Sequence, residues 1–355
     1  MPRMDEPNES DSLAKLLLIA DGKLGKTYYA GLAALAGFNV LYFDGDVGRP
    51  TLAGLPLEAR RRIYAIDCAD TLRGGIKDSR FIETMQEFIK NSTFQWNDTH
   101  GRIALRADYK DNESEIWEIK PGKMDHTCVF VLDSWTGLGE SMMTAAGNAF
   151  SVDLGDATTT EMRPVYQAGG LKSAQVLQAI RSMRCHVIVL AHPDEYSHTT
   201  KPEGKKIKDI KETELVVDWT KMIPKSTSKP NSLTMGKYFT DIAWMETNAT
   251  GSERLLDFRI SDKRISGGHF TERKNSDEYS FANLVKKLGG TVPSETPPVD
   301  HWLRILTPED RANEPESLPS ESPLKAKPGK VLEAAGETRK VSGMSSLMGL
   351  TAPKG

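Results

Sequence analysis

The residues Ala20-Asp21-Gly22-Lys23-Leu24-Gly25-Lys26-Thr27 have the types and spacing needed to hold phosphate. They follow the pattern G-x-x-x-x-G-K-[ST], a loop whose backbone N–H groups point inward around a phosphate chain. Gly25, Lys26 and Thr27 match it, and Ala20 stands where the first glycine would be. A helix starting at the loop adds the positive end of its dipole. The Lys26 ammonium would reach the terminal phosphates, and the Thr27 hydroxyl would hold Mg2+. With Ala20 in first position, Gly22 is expected to supply the loop's freedom. The candidate nucleotide contacts are therefore Asp21, Gly22, Lys23, Leu24, Gly25, Lys26, Thr27 and Tyr28.

Phosphate chemistry also needs carboxylates, and two apolar runs end in them. Val129-Phe130-Val131-Leu132 leads into Asp133-Ser134. A carboxylate at the end of a buried strand can hold Mg2+ through water and offset charge on a transferring phosphoryl group. Val40-Leu41-Tyr42-Phe43 leads into Asp44-Gly45-Asp46. Asp44 or Asp46 would face the same crevice at the strand ends. Either Asp46 or Asp44 could orient and deprotonate a water, although Asp-Gly-Asp is also an ordinary turn. A third run, Val187-Ile188-Val189-Leu190-Ala191, ends at His192. This histidine is either structural or a sensor of the terminal phosphate.

Two cationic segments follow. Lys201, Lys205, Lys206, Lys208 and Lys211 lie in a polar stretch after His192, where a flexible lysine-rich loop would track a nucleic-acid backbone. Glu203, Asp209, Glu212 and Glu214 dilute that charge, so a solvated loop explains it too. Lys263 and Arg264, in the turn 261–268, would reach the γ-phosphate of a neighbouring subunit or simply form a basic turn.

These side chains meet only if buried strands deliver them to one edge. Short apolar runs at 15–20, 40–43, 129–132 and 187–190 alternate with helical patterns at 27–36, 79–90 and 171–183. Strands that are apolar throughout and flanked by helices predict an α/β fold, a mostly parallel sheet sandwiched by helices. Residues 95–123 read as a β-hairpin insertion, and 238–246 and 255–261 as two further strands. The folded domain is expected over 13–290, after a disordered 1–12. Residues 291–355, with Pro293, Pro297, Pro298, Pro308, Pro315, Pro319, Pro323 and Pro328, read as a flexible tail, whose apolar end (Met344, Leu347, Met348, Leu350) is first of all a frayed terminus and alternatively a short docking segment.

The 355 residues are 38% hydrophobic and 27% charged, ordinary globular chemistry. The net charge of −3 excludes a globally basic nucleic-acid binder but not a local basic patch. No apolar run approaches the ~20 residues that span a bilayer, and the polar N-terminus has no signal-peptide core. A cytoplasmic protein without membrane contact is expected. Cys68, Cys128 and Cys185 form no CxxC pair, which disfavours zinc and a disulfide framework.

With these residues in place, the chain resembles the RecA-like P-loop ATPases. It looks most like the compact phage-encoded members described as single-strand annealing or recombination ATPases, or phage ATP-binding proteins. The resemblance covers residues 13–270 and rests on the order of the motifs around Lys26, Asp46, Asp133 and His192. It implies a RecA-like core, ATP and Mg2+ as cofactors, and hydrolysis of ATP to ADP and phosphate. It further implies a homo-oligomer, ring or filament, with ATP between subunits and single-stranded DNA on the loops after Asp133 and His192. In its terms, Lys26 and Thr27 are phosphate and Mg2+ ligands and Asp133 is the strand-end acid. Asp46 is the catalytic carboxylate, an Asp in place of the more usual Glu, and His192 is the sensor. Lys263 and Arg264 act in trans, and Lys201, Lys205, Lys206 and Lys208 contact DNA. A phage-encoded protein would work in the host cytoplasm, its tail recruiting a single-strand-binding protein. The alternative on the same fold is a helicase loader or motor, or an assembly protein with weak or no hydrolysis.

Overall fold

Residues 16–19 have no polar side to offer to water, so the strand they form must be covered on both faces. In the computed structural model, which describes residues 12–73, 76–96, 116–156, 158–200 and 216–306, that strand lies inside an eight-stranded sheet. In chain order the elements are β1 (Lys15–Ile19), α1 (Lys26–Leu35), β2 (Asn39–Asp44), α2 (Leu57–Arg60), β3 (Ile63–Asp67), the short pair β4 (Leu72–Arg73) and β5 (Ile76–Lys77), α3 (Arg80–Lys90), β6 (Phe94–Trp96) and β7 (Ile116–Ile119). There follow β8 (Cys128–Asp133), α4 (Trp135–Phe150), α5 (Thr159–Ser182), β9 (His186–Ala191), β10 (Pro193–Thr200), β11 (Val216–Pro224), α6 (Lys229–Thr234), β12 (Asp241–Thr247), β13 (Arg254–Asp257), β14 (Arg273–Asn275), α7 (Phe281–Lys287) and β15 (Leu303–Leu306).

The sheet order is β14-β13-β12-β1-β9-β8-β2-β3. From β12 to β3 every pair is parallel; β13 and β14 extend one edge antiparallel. The fold is thus α/β with a large, mostly parallel sheet between helices, as the alternation predicts. The period of two explains the unbroken apolar runs. Leu17 and Ile19 face a core shared with Phe81 and Met85 of α3, Leu138 and Met142 of α4, and Val176 and Ile180 of α5. Leu16 and Leu18 face the opposite core, with Tyr29 and Ala33 of α1 and Phe281 and Leu284 of α7. Every one of these side chains is buried.

Several elements depart from the sequence expectation. Helix α4 carries three glycines among its first thirteen residues and has little helical signal of its own. It forms because Ser134 caps it, accepting a hydrogen bond from the Gly137 N–H, and because one side is buried. Helix α5 starts well before residue 171, at a capping box between Thr158 and Glu161. At the expected hairpin insertion β6 and β7 pair antiparallel, and β15 adds a third strand beside β7; residues 97–115 lie outside the described residues.

The expected start of the tail at 291 is also corrected. β15 pairs with β7, Leu303 opposite Ile119, and Trp302 is completely buried, its ring edge-on to Tyr64 at 5.7 Å. The Asn39 side chain donates to the Pro297 carbonyl at 2.9 Å, and Arg62 to Thr296 Oγ1 at 2.7 Å. The prolines here sit in connecting backbone that owes no hydrogen bond to a ladder. Residues 307–355, with the proposed docking segment, lie outside the described residues. Cys68, Cys128 and Cys185 are buried and unbridged. Among the described residues no helix is long and apolar enough to cross a membrane.

The segment 291–306 is therefore part of the core. Trp302→Ala should lower unfolding stability by about 3–5 kcal/mol, read from urea denaturation. A chain ending at Gly290 should unfold at least as readily.

Candidate functional site

The four strands β1, β9, β8 and β2 are adjacent and parallel, so their C-terminal ends form one edge. Lys26 follows β1, His192 follows β9, Asp133 ends β8 and Asp46 follows β2. Because β9 lies between β1 and β8, His192 is carried to the middle of the group.

The loop between β1 and α1 shows why Ala20 is tolerated. Ala20 continues the strand, its N–H donating to the Ala191 carbonyl at 3.1 Å. The left-handed positions are Lys23 (φ 66°) and Gly25 (φ 96°), not residue 20 and not Gly22. The turn's conformational demand therefore falls one residue after Gly22, on a lysine, and again at Gly25. Lys26 is 7% exposed. Its Nζ donates to the carbonyls of Ala20 at 2.6 Å and Asp21 at 3.0 Å, and lies 3.5 Å from His192 Nδ1. Burial pulls the Lys26 ammonium below its ordinary value, against the charges of Asp133, Asp46 and Asp21.

Thr27 and Asp133 are locked together. Thr27 Oγ1 donates to Asp133 Oδ2 at 2.7 Å, and the Tyr42 hydroxyl donates to the same oxygen. Burial pushes the Asp133 carboxyl up; the hydrogen bonds from Tyr42 and Thr27 and the Lys26 charge oppose this, and Asp46 adds to it. Gly48 closes over the pair. A Cβ there would stand 2.7 Å from Asp133 Oδ2 and 3.0 Å from Thr27 Oγ1, so only glycine fits. A hydroxyl beside carboxylates is an all-oxygen donor set, which suits a hard cation such as Mg2+.

Asp44, the last residue of β2, and Asp46, two residues on, divide their roles. Asp44 is buried, and its Oδ1 accepts the Gly48 N–H at 2.8 Å, holding the turn in shape. Asp46 faces the crevice, its Oδ2 3.4 Å from His192 Nε2. Burial alone would raise the Asp46 carboxyl. Hydrogen bonds from His192 and Ser134, with the charges of His192 and Lys26, outweigh it and hold the group below the usual carboxylate range. Asp46 is thus ionised at neutral pH. The His192 ring lies between Lys26 and Asp46, and its backbone N–H donates to Thr136 Oγ1 at 3.0 Å.

Of the other expected contacts, Asp21, Gly22 and Lys23 form the exposed rim, and Leu24 and Tyr28 are half-buried beside it. Arg264, expected to act in trans, makes its contacts here within its own chain. Its Nη1 lies 2.6 Å from Glu246 Oε1 and 3.6 Å from Asp257 Oδ2, and its guanidinium sits over the Trp244 ring. Those carboxylates, brought by β12 and β13, also pair with Arg273 and Arg259. Lys263 sits in the same turn, its carbonyl accepting the Met222 N–H at 2.7 Å. Lys201, Lys205, Lys206 and Lys208 lie outside the described residues.

Two features were not legible in the sequence. The stretch after His192 begins as a strand, not as a flexible loop. β10 pairs antiparallel with β11, the rings of His198 and Trp219 stack at 5.3 Å and 6°, and Tyr196 packs on Trp219 at 5.4 Å. Trp219 remains 43% exposed. The second is Arg254, whose Nε donates to the Leu24 carbonyl at 3.0 Å from 230 positions away. No motif marks it, because only the sheet edge built by β12 and β13 brings it there. No protein-family model and no curated protein matches the chain.

Gly48→Ala drives a methyl group between Thr27 and Asp133. It should weaken binding of a Mg2+–triphosphate about tenfold or more, or 1.4 kcal/mol, while leaving metal-free binding much less affected. Calorimetric titration with and without Mg2+ checks this.

Proposed function

We propose that this chain is a RecA-like P-loop ATPase that binds single-stranded DNA and serves recombination or strand annealing of the phage type. One observation carries the ATPase reading. A buried lysine, a hydroxyl paired to a buried carboxylate, and an ionised aspartate bridged by histidine converge at one sheet edge. They come from four segments spread over 166 positions of sequence.

In this reading the loop N–H groups and Lys26 hold the β- and γ-phosphates. To do so Lys26 exchanges its two loop carbonyls for phosphate oxygens. Thr27 and Asp133 would hold Mg2+, which supplies neutralising charge to the phosphate oxygens. Asp46 is placed to accept a proton from the water that attacks the γ-phosphorus. His192 touches both Lys26 and Asp46, so it can report γ-phosphate occupancy to β10, the strand that begins at the next residue.

The DNA half of the proposal rests on that ribbon. An exposed indole flanked by Tyr196 and His198 is a stacking surface for unpaired bases. Lys221 stands opposite Tyr196, and the lysine-rich segment joins the two arms. Assembly into a ring or filament belongs to the same proposal.

The test is ATP turnover with and without single-stranded DNA. Wild type should turn over faster with DNA, and Lys26→Ala should be inactive. Asp46→Asn should keep ATP binding and lose about a hundredfold or more in turnover. Trp219→Ala should keep basal turnover and lose the DNA stimulation. A wild type that binds ATP without hydrolysing it would favour an assembly protein instead.

A further inference from the structure

Beside the phosphate loop, on the side away from His192, lies a cavity of about 410 Å³ lined by Lys23, Leu24, Thr247, Ser252, Arg254 and Asp277 among others. That is the size of small-ligand pockets, which run from about 300 Å³. We propose that this cavity receives the nucleoside of the bound triphosphate and that Arg254 is the surface on which the base stacks. The inference rests on the phosphate-loop reading above and deepens it.

Arg254 is held in place from three sides. Its Nε is committed to the Leu24 carbonyl at 3.0 Å. Its guanidinium lies over the Tyr28 ring, 5.6 Å from the centroid. It packs so closely on Gly25 that a Cβ there would be 2.5 Å from Nε, so the left-handed glycine and the arginine fit each other. Its backbone carbonyl accepts the Ser276 N–H at 2.9 Å. The turn before it is tied down by Asn248, whose Oδ1 accepts the N–H of Ser252 at 2.9 Å and of Glu253 at 3.3 Å.

Despite these ties the Arg254 side chain is exposed toward the cavity. A planar, weakly hydrated cation backed by an aromatic ring is well suited to carry a π-system. Ser252 and Asp277 place a hydroxyl and a carboxylate on the rim for the polar edge of a base. A phosphate chain in the loop would end beside this wall, because Lys23 and Leu24 belong to both.

The experiment compares Mg2+–ATP with inorganic tripolyphosphate, which has the charge and no base, by calorimetric titration. For Arg254→Ala, ATP affinity should fall about tenfold while tripolyphosphate affinity stays within about twofold. Arg254→Lys keeps the charge without the plane and should resemble the alanine variant; unfolding midpoints verify that both variants are folded. Equal losses for both ligands would overturn the inference, making Arg254 a phosphate contact or a brace of the loop. Unchanged ATP affinity would overturn it as well. A wild type that binds neither ligand would remove the phosphate-loop reading itself, and the pocket assignment with it.

Discussion

The Asp133 carboxylate is 3% exposed, and its burial is the constraint around which the site is organised. Removing a carboxylate from water is costly unless donors replace the lost hydration. Here Thr27 and Tyr42 both donate to Oδ2, Lys26 supplies nearby positive charge, and Gly48 allows the backbone to close above them. The compensating groups come from three elements: α1, β2, and the turn after β2. The carboxylate therefore requires the parallel register of β2 and β8, in which Asp44 stands opposite Asp133.

The same electrostatics separates two aspartates that look equivalent on paper. Asp44 is buried against its own turn and shapes it by accepting the Gly48 N–H. Asp46, two residues on, gains His192, Ser134 and Lys26 as neighbours and stays ionised despite partial burial. Asp133 goes the other way, because burial outweighs its partners. Neighbouring carboxylates pushed in opposite directions form the kind of arrangement in which acid, base and ligand roles can be assigned. His192 spans the gap between Lys26 and Asp46 and opens directly into the β10–β11 ribbon, so the proposed nucleotide and DNA sites share a covalent connection one residue long.

The opposite side of the loop is governed by the antiparallel edge. β13 and β14 return along β12 and set Arg254 and the 248–253 turn against Leu24 and Gly25. That edge also holds Arg264, which pairs with Glu246 and Asp257. Two arginines ten residues apart thus have contrasting surroundings: one paired within its own chain, one exposed beside the crevice.

Some of this was legible from residue order alone. The buried strands, the phosphate-loop pattern, and the strand-end positions of Asp133, Asp46 and His192 are local, because a two-sided buried strand reads as an apolar run and ends where the polarity changes. The different surroundings of Asp46 and Asp44, the irrelevance of a glycine at position 20, and the left-handed turn at Lys23 required backbone coordinates. So did α4, whose composition opposes the helix that its cap and burial impose, and the segment 291–306, whose prolines mask a strand and a buried tryptophan. Arg254, Trp219 and the pairing of Arg264 are non-local throughout. A charged or aromatic side chain takes its role from what faces it, and what faces these three is decided by strand pairing across the sheet edge and along the β10–β11 ribbon. The residue types available to the site are thus written in the sequence, whereas which of them meet, and in what charge state, is set by the order of strands in the folded sheet.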